Sequence, residues 1–288
     1  MTPSTRSPLT SSAASAAGDQ DTDRPNAARI YSCLLGDSAN FAADRRAASH
    51  LLNIAPGIAA DAYANRAFVA RAICHLTSAG VRQFLDLGAG LPTAGNLHDL
   101  AQRDTPSTRV VYVDHDPVVV AAWQQTLGDA VHVRVVHADI RNPAEVLASA
   151  EVADLLDLSE PIGLVATAVL HYVSDVHEPG ELLRAYRAAL APGSHLVLSH
   201  GTWDHLGVGQ YINIAELYER VGAPLTLRTL EEITALLDGW NLLAPADDEP
   251  TTVVPVGEWR WADDLVEPDP AACHLLGAVA CLDDRNSQ

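Results

Sequence analysis

Three aspartates, Asp86, Asp114 and Asp139, fall near the carboxyl ends of successive apolar runs, one strand–helix unit apart. Between the first two lies Gly88-Ala89-Gly90, two glycines that let a backbone turn sharply and approach a ligand closely. The N–H groups opening the next helix point at such a ligand. Asp86 sits inside its apolar run, where a carboxylate is costly without a partner. Asp114 directly follows Val-Val-Tyr-Val, one unit beyond the glycine turn, where a carboxylate holds the two hydroxyls of a ribose. Asp139-Ile140 follows the third run; the carboxylate there can accept from an exocyclic amine while a backbone N–H serves a ring nitrogen. Asp139 also suits the cap of a helix beginning near Pro143, and Asp116, before Pro117, reads as a cap.

The turn discriminates between nucleosides. A dinucleotide fingerprint needs G-x-G-x-x-G, and Thr93 stands where the third glycine belongs. Pro92 removes a backbone donor from any pyrophosphate cradle. The chain has no lysine, so a P-loop is excluded. A nucleoside without phosphates fits better, and S-adenosyl-L-methionine is one: adenine, ribose and a sulfonium that carries an amino acid.

Methyl transfer from a sulfonium is an in-line displacement that needs alignment first, and a base only if the acceptor arrives protonated. Among 12 histidines, His171 follows the fourth apolar run immediately and is the candidate base, since histidine titrates near neutrality. His200 ends the next run, and His205 lies in the loop after it with Trp203 and Asp204. Such loops shape substrate pockets, so His200 and Trp203 are expected to line the substrate site. The loop spacing does not make a metal site, and none is expected.

Those residues need a scaffold that brings strand ends to one edge. Strands are expected at Gln83–Leu87, Arg109–Val113, Val131–His137, Ile162–Val169, His195–Ser199, Trp240–Leu243 and His274–Leu282. Helices alternate with them, including one opened by the capping box Thr229-Leu-Glu-Glu232. That alternation over about 200 residues points to a doubly wound parallel sheet, with the ligand across the carboxyl ends of its strands. Ahead of it, residues 23–80 read as a helical segment, with one face of its longest helix formed by Phe68, Val69, Ala72, Ile73 and Leu76. Residues 1–22 are rich in Ser, Thr, Ala and Pro and read as a disordered tail. The main domain is expected to span 81–288.

Leu85-Asp-Leu-Gly-Ala-Gly90, Val113-Asp114, Ala138-Asp139-Ile140 and Val169-Leu-His-Tyr-Val-Ser-Asp175 resemble the successive motifs of class I S-adenosylmethionine-dependent methyltransferases. Arg29-Ile-Tyr-Ser-Cys-Leu-Leu-Gly36, Asn40-Phe-Ala-Ala-Asp44, Asn65-Arg66 and Gln83 to Thr93 narrow the resemblance to a bacterial S-adenosyl methyltransferase family with a helical N-terminal segment. The chain departs from that family at Asp37-Ser38, where a lysine is usual. The resemblance implies a seven-stranded α/β sheet in the order 3-2-1-4-5-7-6, the seventh strand antiparallel, under an N-terminal helical cap. It implies the amino-acid end of the cofactor near Asp86, Gly88, Ala89 and Gly90, and ribose at Asp114 with His115. Adenine would lie at Asp139 and Ile140, with Ala168 at the end of the fourth strand. The cap would close over the cofactor, bringing Arg66, Tyr31 and Asn40 to it or to the substrate; Arg66 also suits a surface ion pair. The setting of His171 resembles a motif in which some small-molecule O-methyltransferases carry their base, whereas other class I enzymes have a histidine there that packs near the adenosine.

Composition narrows the partners. Against 37 acidic residues stand 18 basic ones, all arginine, a formal charge of −19. That balance opposes non-specific nucleic-acid binding and anionic membranes. No Asn/Asp-Pro-Pro-Tyr/Phe follows the fourth strand, as base-amine methylation would require, and no apolar run reaches the ~20 residues that span a bilayer. Cys33, Cys74, Cys273 and Cys281 are far apart and read as buried free thiols of a cytoplasmic protein. The expectation is a cytoplasmic methyltransferase acting on a small molecule, such as a secondary metabolite. An S-adenosylmethionine-binding protein without transferase activity and an NAD(P)-dependent oxidoreductase are the rivals.

Overall fold

The computed structural model describes residues 22–260 and 274–283. Three helices come first: α1 (Ala27–Leu34), α2 (Ala42–Ile54) and α3 (Ile58–Ser78). The alternating region then runs β1 (Gln83–Leu87), α4 (Leu97–Ala101), β2 (Arg109–Asp114), α5 (Pro117–Leu127), β3 (Val133–His137), α6 (Pro143–Leu147) and α7 (Ala150–Leu155). It continues with β4 (Gly163–Thr167), α8 (Pro179–Ala189), β5 (His195–Gly201), α9 (Val208–Val221), α10 (Leu230–Ala235), β6 (Asn241–Leu242), β7 (Val254–Pro255) and β8 (Leu275–Cys281). The tail expected over residues 1–22 lies, except for Thr22, outside the described residues.

The sheet order is β3-β2-β1-β4-β5-β8-β6, with β1 to β5 parallel and β8 antiparallel to β5. This is the expected class I methyltransferase arrangement with one addition. β7, two residues long, pairs with β8 at Val254↔Gly277 and Pro255↔Leu276. β6 pairs with the other end of β8. A strand this short that contains proline carries no alternation to read, and proline is tolerated at such an edge. β4 stops at Thr167, short of the expected Val169, because Ala168 turns out of the sheet with φ +50°.

β1 to β5 are covered on both faces, so they read as apolar runs. Leu85, Leu87, Val113, Leu164 and Tyr186 belong to one core, and Phe68, Phe84, Tyr112, Trp123 and Trp259 to the other. A third core joins Ile30, Leu34 and Leu51 of the first helices to Ile214, Leu217 and Tyr218 of α9. The helical segment over the sheet edge is therefore completed by a helix from late in the chain.

Two carboxylates fix that segment. Asp44, fully buried, takes Arg29 Nε at 2.9 Å and the N–H groups of Asn26 and Phe41 at 2.9 and 2.8 Å. Asp116 caps α5 through Val118 N at 2.8 Å, as its place before Pro117 implied, and also accepts from Asn26 Nδ2 at 2.7 Å. Cys33, Cys74 and Cys281 are free thiols, half-buried rather than buried; Cys273 lies outside the described residues.

Candidate functional site

The carboxyl edge of the sheet gathers the three aspartates around the glycine turn. Gly88 and Ala89 donate their N–H groups to Val113 O at 2.8 and 3.0 Å, folding the turn back onto β2. Gly90 O accepts from Trp123 Nε1 at 2.7 Å, and that indole stacks on Tyr112 with centroids 3.9 Å apart. Gly88 has φ +74°, and a Cβ there would lie 2.2 Å from Val169 Cγ2, so no other residue fits.

Asp86 lies deep but not fully covered, and its carboxylate has no hydrogen-bond partner among the described residues. Burial pushes its pKa up to about 7, against the opposing pull of Arg66. Arg66 comes from α3 and is held over the turn by its bond to Gly95 O at 2.6 Å, so it is not a mere surface ion pair. Thr93 Oγ1 is buried in the same turn without a partner among the described residues. These groups match an α-amino acid: an open carboxylate for the ammonium, and a guanidinium and a hydroxyl for the carboxylate.

Asp114 is buried and accepts from Gly90 N at 3.0 Å through Oδ2 and from Asp116 N at 2.9 Å through Oδ1. Burial raises its pKa while these two N–H groups oppose the rise. Each oxygen keeps a lone pair for a ligand hydroxyl. His115 is exposed beside it, its carbonyl accepting from His137 Nε2 at 3.0 Å. Asp139 differs from its expected use. Arg141 grips both carboxylate oxygens, and its backbone N donates to Oδ1 at 2.9 Å, so that guanidinium holds the carboxyl below its ordinary range. Nor does Asp139 cap α6, whose N-cap position is Asn142. The Ile140 N–H makes no hydrogen bond among the described residues.

Beyond Ala168 the edge opens into a cavity of ≈ 80 Å³ beneath the helical segment. Leu34, Leu51, Ile58, Ile214 and Leu225 give it apolar walls; Tyr31, Asp61, His171, Tyr172, Thr202, Tyr218 and His274 add polar groups. One chain of hydrogen bonds ties the cavity to the sheet. Asn65 Nδ2 donates to the Tyr31 hydroxyl at 3.1 Å, Ser199 Oγ donates to Asn65 Oδ1 at 2.6 Å, and Ala168 N donates to Ser199 Oγ at 2.9 Å. These bonds hold Ala168 in a left-handed conformation that costs about 1–3 kcal/mol, a kind of strain concentrated at functional sites.

His171 lines the cavity but is not set up as a base. Its Nδ1 accepts from Gly201 N at 3.1 Å, so the ring proton is on Nε2. Burial, then His200 and Arg228, keep its pKa well below the ordinary value. His171 is therefore a neutral N–H donor whose lone pair is already engaged. His200 is no substrate ligand either: it is fully buried, gives Nδ1–H to Gly201 O at 2.8 Å, and accepts from Arg228 Nη1 at 2.7 Å. Burial pushes its pKa down to about 4. Its strand is covered on both faces, so it turns inward rather than into the cavity. Trp203 stands outside the cavity, 39% exposed and tilted against Tyr211 at 6.1 Å. Asn40 is also away from the cavity, spent on Asp37 O at 2.5 Å and on Arg45.

Sequence reasoning passed over Arg228. Buried, it braces the loop after β4 by donating to Leu170 O at 3.2 Å, Val173 O at 2.9 Å and Asp175 Oδ1 at 2.6 Å. Asn65 was visible only as part of the Asn65-Arg66 pair. Among the described residues no group of three or more His, Cys, Asp or Glu is placed to hold a metal ion, and no helix is long and apolar enough to cross a membrane.

The S-adenosyl methyltransferase family model matches residues 13–283. A DUF574 family protein from Streptomyces avermitilis MA-4680 is 33% identical, with a TM-score of 0.82 over 91% of this chain and 99% of that one. A candidate methyltransferase from Thermobifida fusca YX is 34% identical, with a TM-score of 0.83 over 92% and 97%. The plantazolicin methyltransferase BpumL, solved with a triazolic desmethylPZN analog and SAH, shares the fold at 12% identity and a TM-score of 0.50, over 89% and 96% of the two chains. No curated protein matches this chain.

Proposed function

The chain belongs to the S-adenosyl methyltransferase family, and from that premise we propose that it methylates a small, largely apolar molecule of the secondary-metabolite kind. When bound, S-adenosyl-L-methionine supplies an electrophilic methyl group on a sulfonium. We assign its ammonium to Asp86 and its carboxylate to Arg66 and Thr93. Gly88, Ala89 and Gly90 form the floor of that pocket, and Asp114 takes the ribose hydroxyls with His115 at the rim. For adenine, the Ile140 N–H is the better contact, because Asp139 is committed to Arg141.

The observation that carries the acceptor class is the cavity beyond Ala168. It is apolar-walled, lies under the helical segment, and at ≈ 80 Å³ has room for a group of several heavy atoms rather than a polymer segment. The formal charge of −19 also disfavours a nucleic-acid substrate. Free thiols and an intracellular methyl donor suit a cytoplasmic setting. The chain's own contribution is alignment: Tyr31, His171 and Tyr172 orient the acceptor, and Ala168 sits between donor and acceptor spaces.

Release of S-adenosylhomocysteine from S-adenosylmethionine, measured over a panel of small hydroxylated and aminated aromatic molecules and over oligonucleotides, tests this reading. Turnover with small molecules alone is expected. Turnover only with oligonucleotides overturns the acceptor class, and cofactor binding without any turnover favours a binding protein that lacks transferase activity.

A further inference from the structure

We propose that the main-chain carbonyl of Ala168 grips the reacting group of the acceptor, and that this group is a neutral amine, as in an arylamine, methylated on nitrogen. This rests on the cavity beyond Ala168 being the acceptor site. β4 and β5 run parallel with Thr167 opposite Ser199, and the rung after that pair is Ala168 N to Ser199 O at 3.0 Å. In a regular parallel ladder the next bond runs from Gly201 N to Ala168 O. That bond is replaced. Gly201 N donates to His171 Nδ1 at 3.1 Å, and Ala168, at φ +50°, turns its carbonyl off the ladder. Gly201 admits the imidazole: a Cβ there would lie 3.4 Å from His171 Nδ1 and 2.6 Å from Leu227 Cδ2. Ala168 O is left with no hydrogen-bond partner among the described residues, on a half-buried residue that lines the cavity.

A carbonyl withdrawn from water without a partner is costly, so one held this way at a cavity calls for a donor from the ligand. It is held firmly. Ala168 N also donates to Ser199 Oγ at 2.9 Å, and that hydroxyl donates to Asn65 Oδ1 at 2.6 Å, both side chains being buried. Elsewhere in the lining, Asp61 accepts from His274 N at 2.9 Å and lies 2.7 Å from His274 Nδ1, which ties the start of β8 to α3. A carbonyl accepts a hydrogen bond but takes up no proton at neutral pH. A hydroxyl bound to it would keep the proton that it must lose on methylation. A neutral amine donates one N–H to the carbonyl and still presents its lone pair. That lone pair forms the new N–CH₃ bond as the sulfonium C–S bond breaks, its electrons staying on sulfur, and the ammonium product passes one proton to water. His171 acts on the carbonyl through Gly201 and is in this respect a positioning residue, as are Ser199 and Asn65.

NMR of the ligand-free protein tests the carbonyl. With carbon-13 at alanine carbonyls and nitrogen-15 at valine amides, only the Ala130-Val131, Ala168-Val169 and Ala278-Val279 peptides give correlations, and loss in A168G identifies that of Ala168. In H171A, Gly201 N is expected to return to Ala168 O and move this carbonyl resonance downfield. H171N, whose Oδ1 stands in for Nδ1, is expected to keep it at the wild-type position. A resonance unmoved in H171A, or moved as far in H171N, overturns the proposal. The second arm needs no variant. 3-Aminophenol carries both nucleophiles on one small ring, and with S-adenosylmethionine the wild type is expected to yield its N-methyl product in at least tenfold excess over its O-methyl product, read by mass spectrometry after chromatography. Comparable or dominant O-methylation overturns the nitrogen assignment and leaves the functional reading standing, and so does the absence of product from a protein that turns over other small molecules. If S-adenosylhomocysteine does not bind the wild type, the functional reading fails, and the ligand-free spectra still judge the carbonyl.

Discussion

Replacing Asp86 by Asn should strengthen the fold and weaken the site at once. An ordinary carboxyl held at about 7 by burial makes ionisation costly in the folded protein. At 1.36 kcal/mol per pKa unit the penalty above pH 7 is about 4 kcal/mol, and since the cleft keeps the residue partly accessible to water, about 2 kcal/mol is a realistic expectation. The folded pKa lies above the unfolded one, so between about pH 4 and pH 7 the unfolded chain has lost a proton that the native state keeps. Stability due to this group is therefore highest below the unfolded pKa and is lost as pH rises through about 7. D86N lacks this slope. In urea denaturation it should match the wild type near pH 3, below the ordinary carboxyl pKa, and exceed it by about 2 kcal/mol at pH 8. The same variant loses a charge-assisted bond to the cofactor ammonium and should bind S-adenosylhomocysteine about 10- to 100-fold more weakly, or about 1.5–3 kcal/mol. If D86N is the less stable protein at pH 8, or binds S-adenosylhomocysteine as tightly as the wild type, the reasoning about Asp86 is refuted.

Other consequences can be checked beside it. Asp114→Ala frees two backbone N–H groups as well as the ribose contact, so calorimetry should show S-adenosylhomocysteine affinity reduced by at least ~1 kcal/mol, and unchanged affinity would contradict the ribose assignment. Asp44→Ala strands the buried Arg29 guanidinium and two N–H groups and should cost about 3–5 kcal/mol in denaturant unfolding. The folded pKa values of His171 and His200 are depressed, so the unfolded chain takes up protons first. Wild-type stability should fall as pH drops from about 6.5 toward 4, the loss shrinking in His200→Gln when its melting is followed over the same range.

The parts of this molecule most legible in its sequence are those where one residue type has one job. The glycine turn, the Asp116-Pro117 cap and the apolar runs of β1 to β5 all follow from local geometry, and the doubly wound sheet follows from their alternation with helices, while its strand order came only from the family resemblance. What escaped notice depends on partners distant in the chain. His200 reads as a site residue because it ends a strand, yet it is buried under Arg228, 28 positions later. Asp139 reads as an adenine contact, yet Arg141 holds it. His171 has the expected position but the wrong tautomer for a base, which depends on a hydrogen bond from Gly201. His274 was placed only as the start of the last strand, because nothing in its neighbourhood announces Asp61, 213 positions earlier. Trp203 was assigned by loop membership and Asn40 by its place in the helical cap that the resemblance implies, and neither signal says which way a side chain turns.

A crystal structure with S-adenosylhomocysteine tests the central claim most directly. The account predicts the amino acid between Asp86 and Arg66 over Gly88, the ribose hydroxyls on Asp114, the adenine beside the Ile140 N–H, and the sulfur facing the cavity beyond Ala168. A ligand whose ribose lies away from Asp114, or whose sulfur faces away from that cavity, would contradict it.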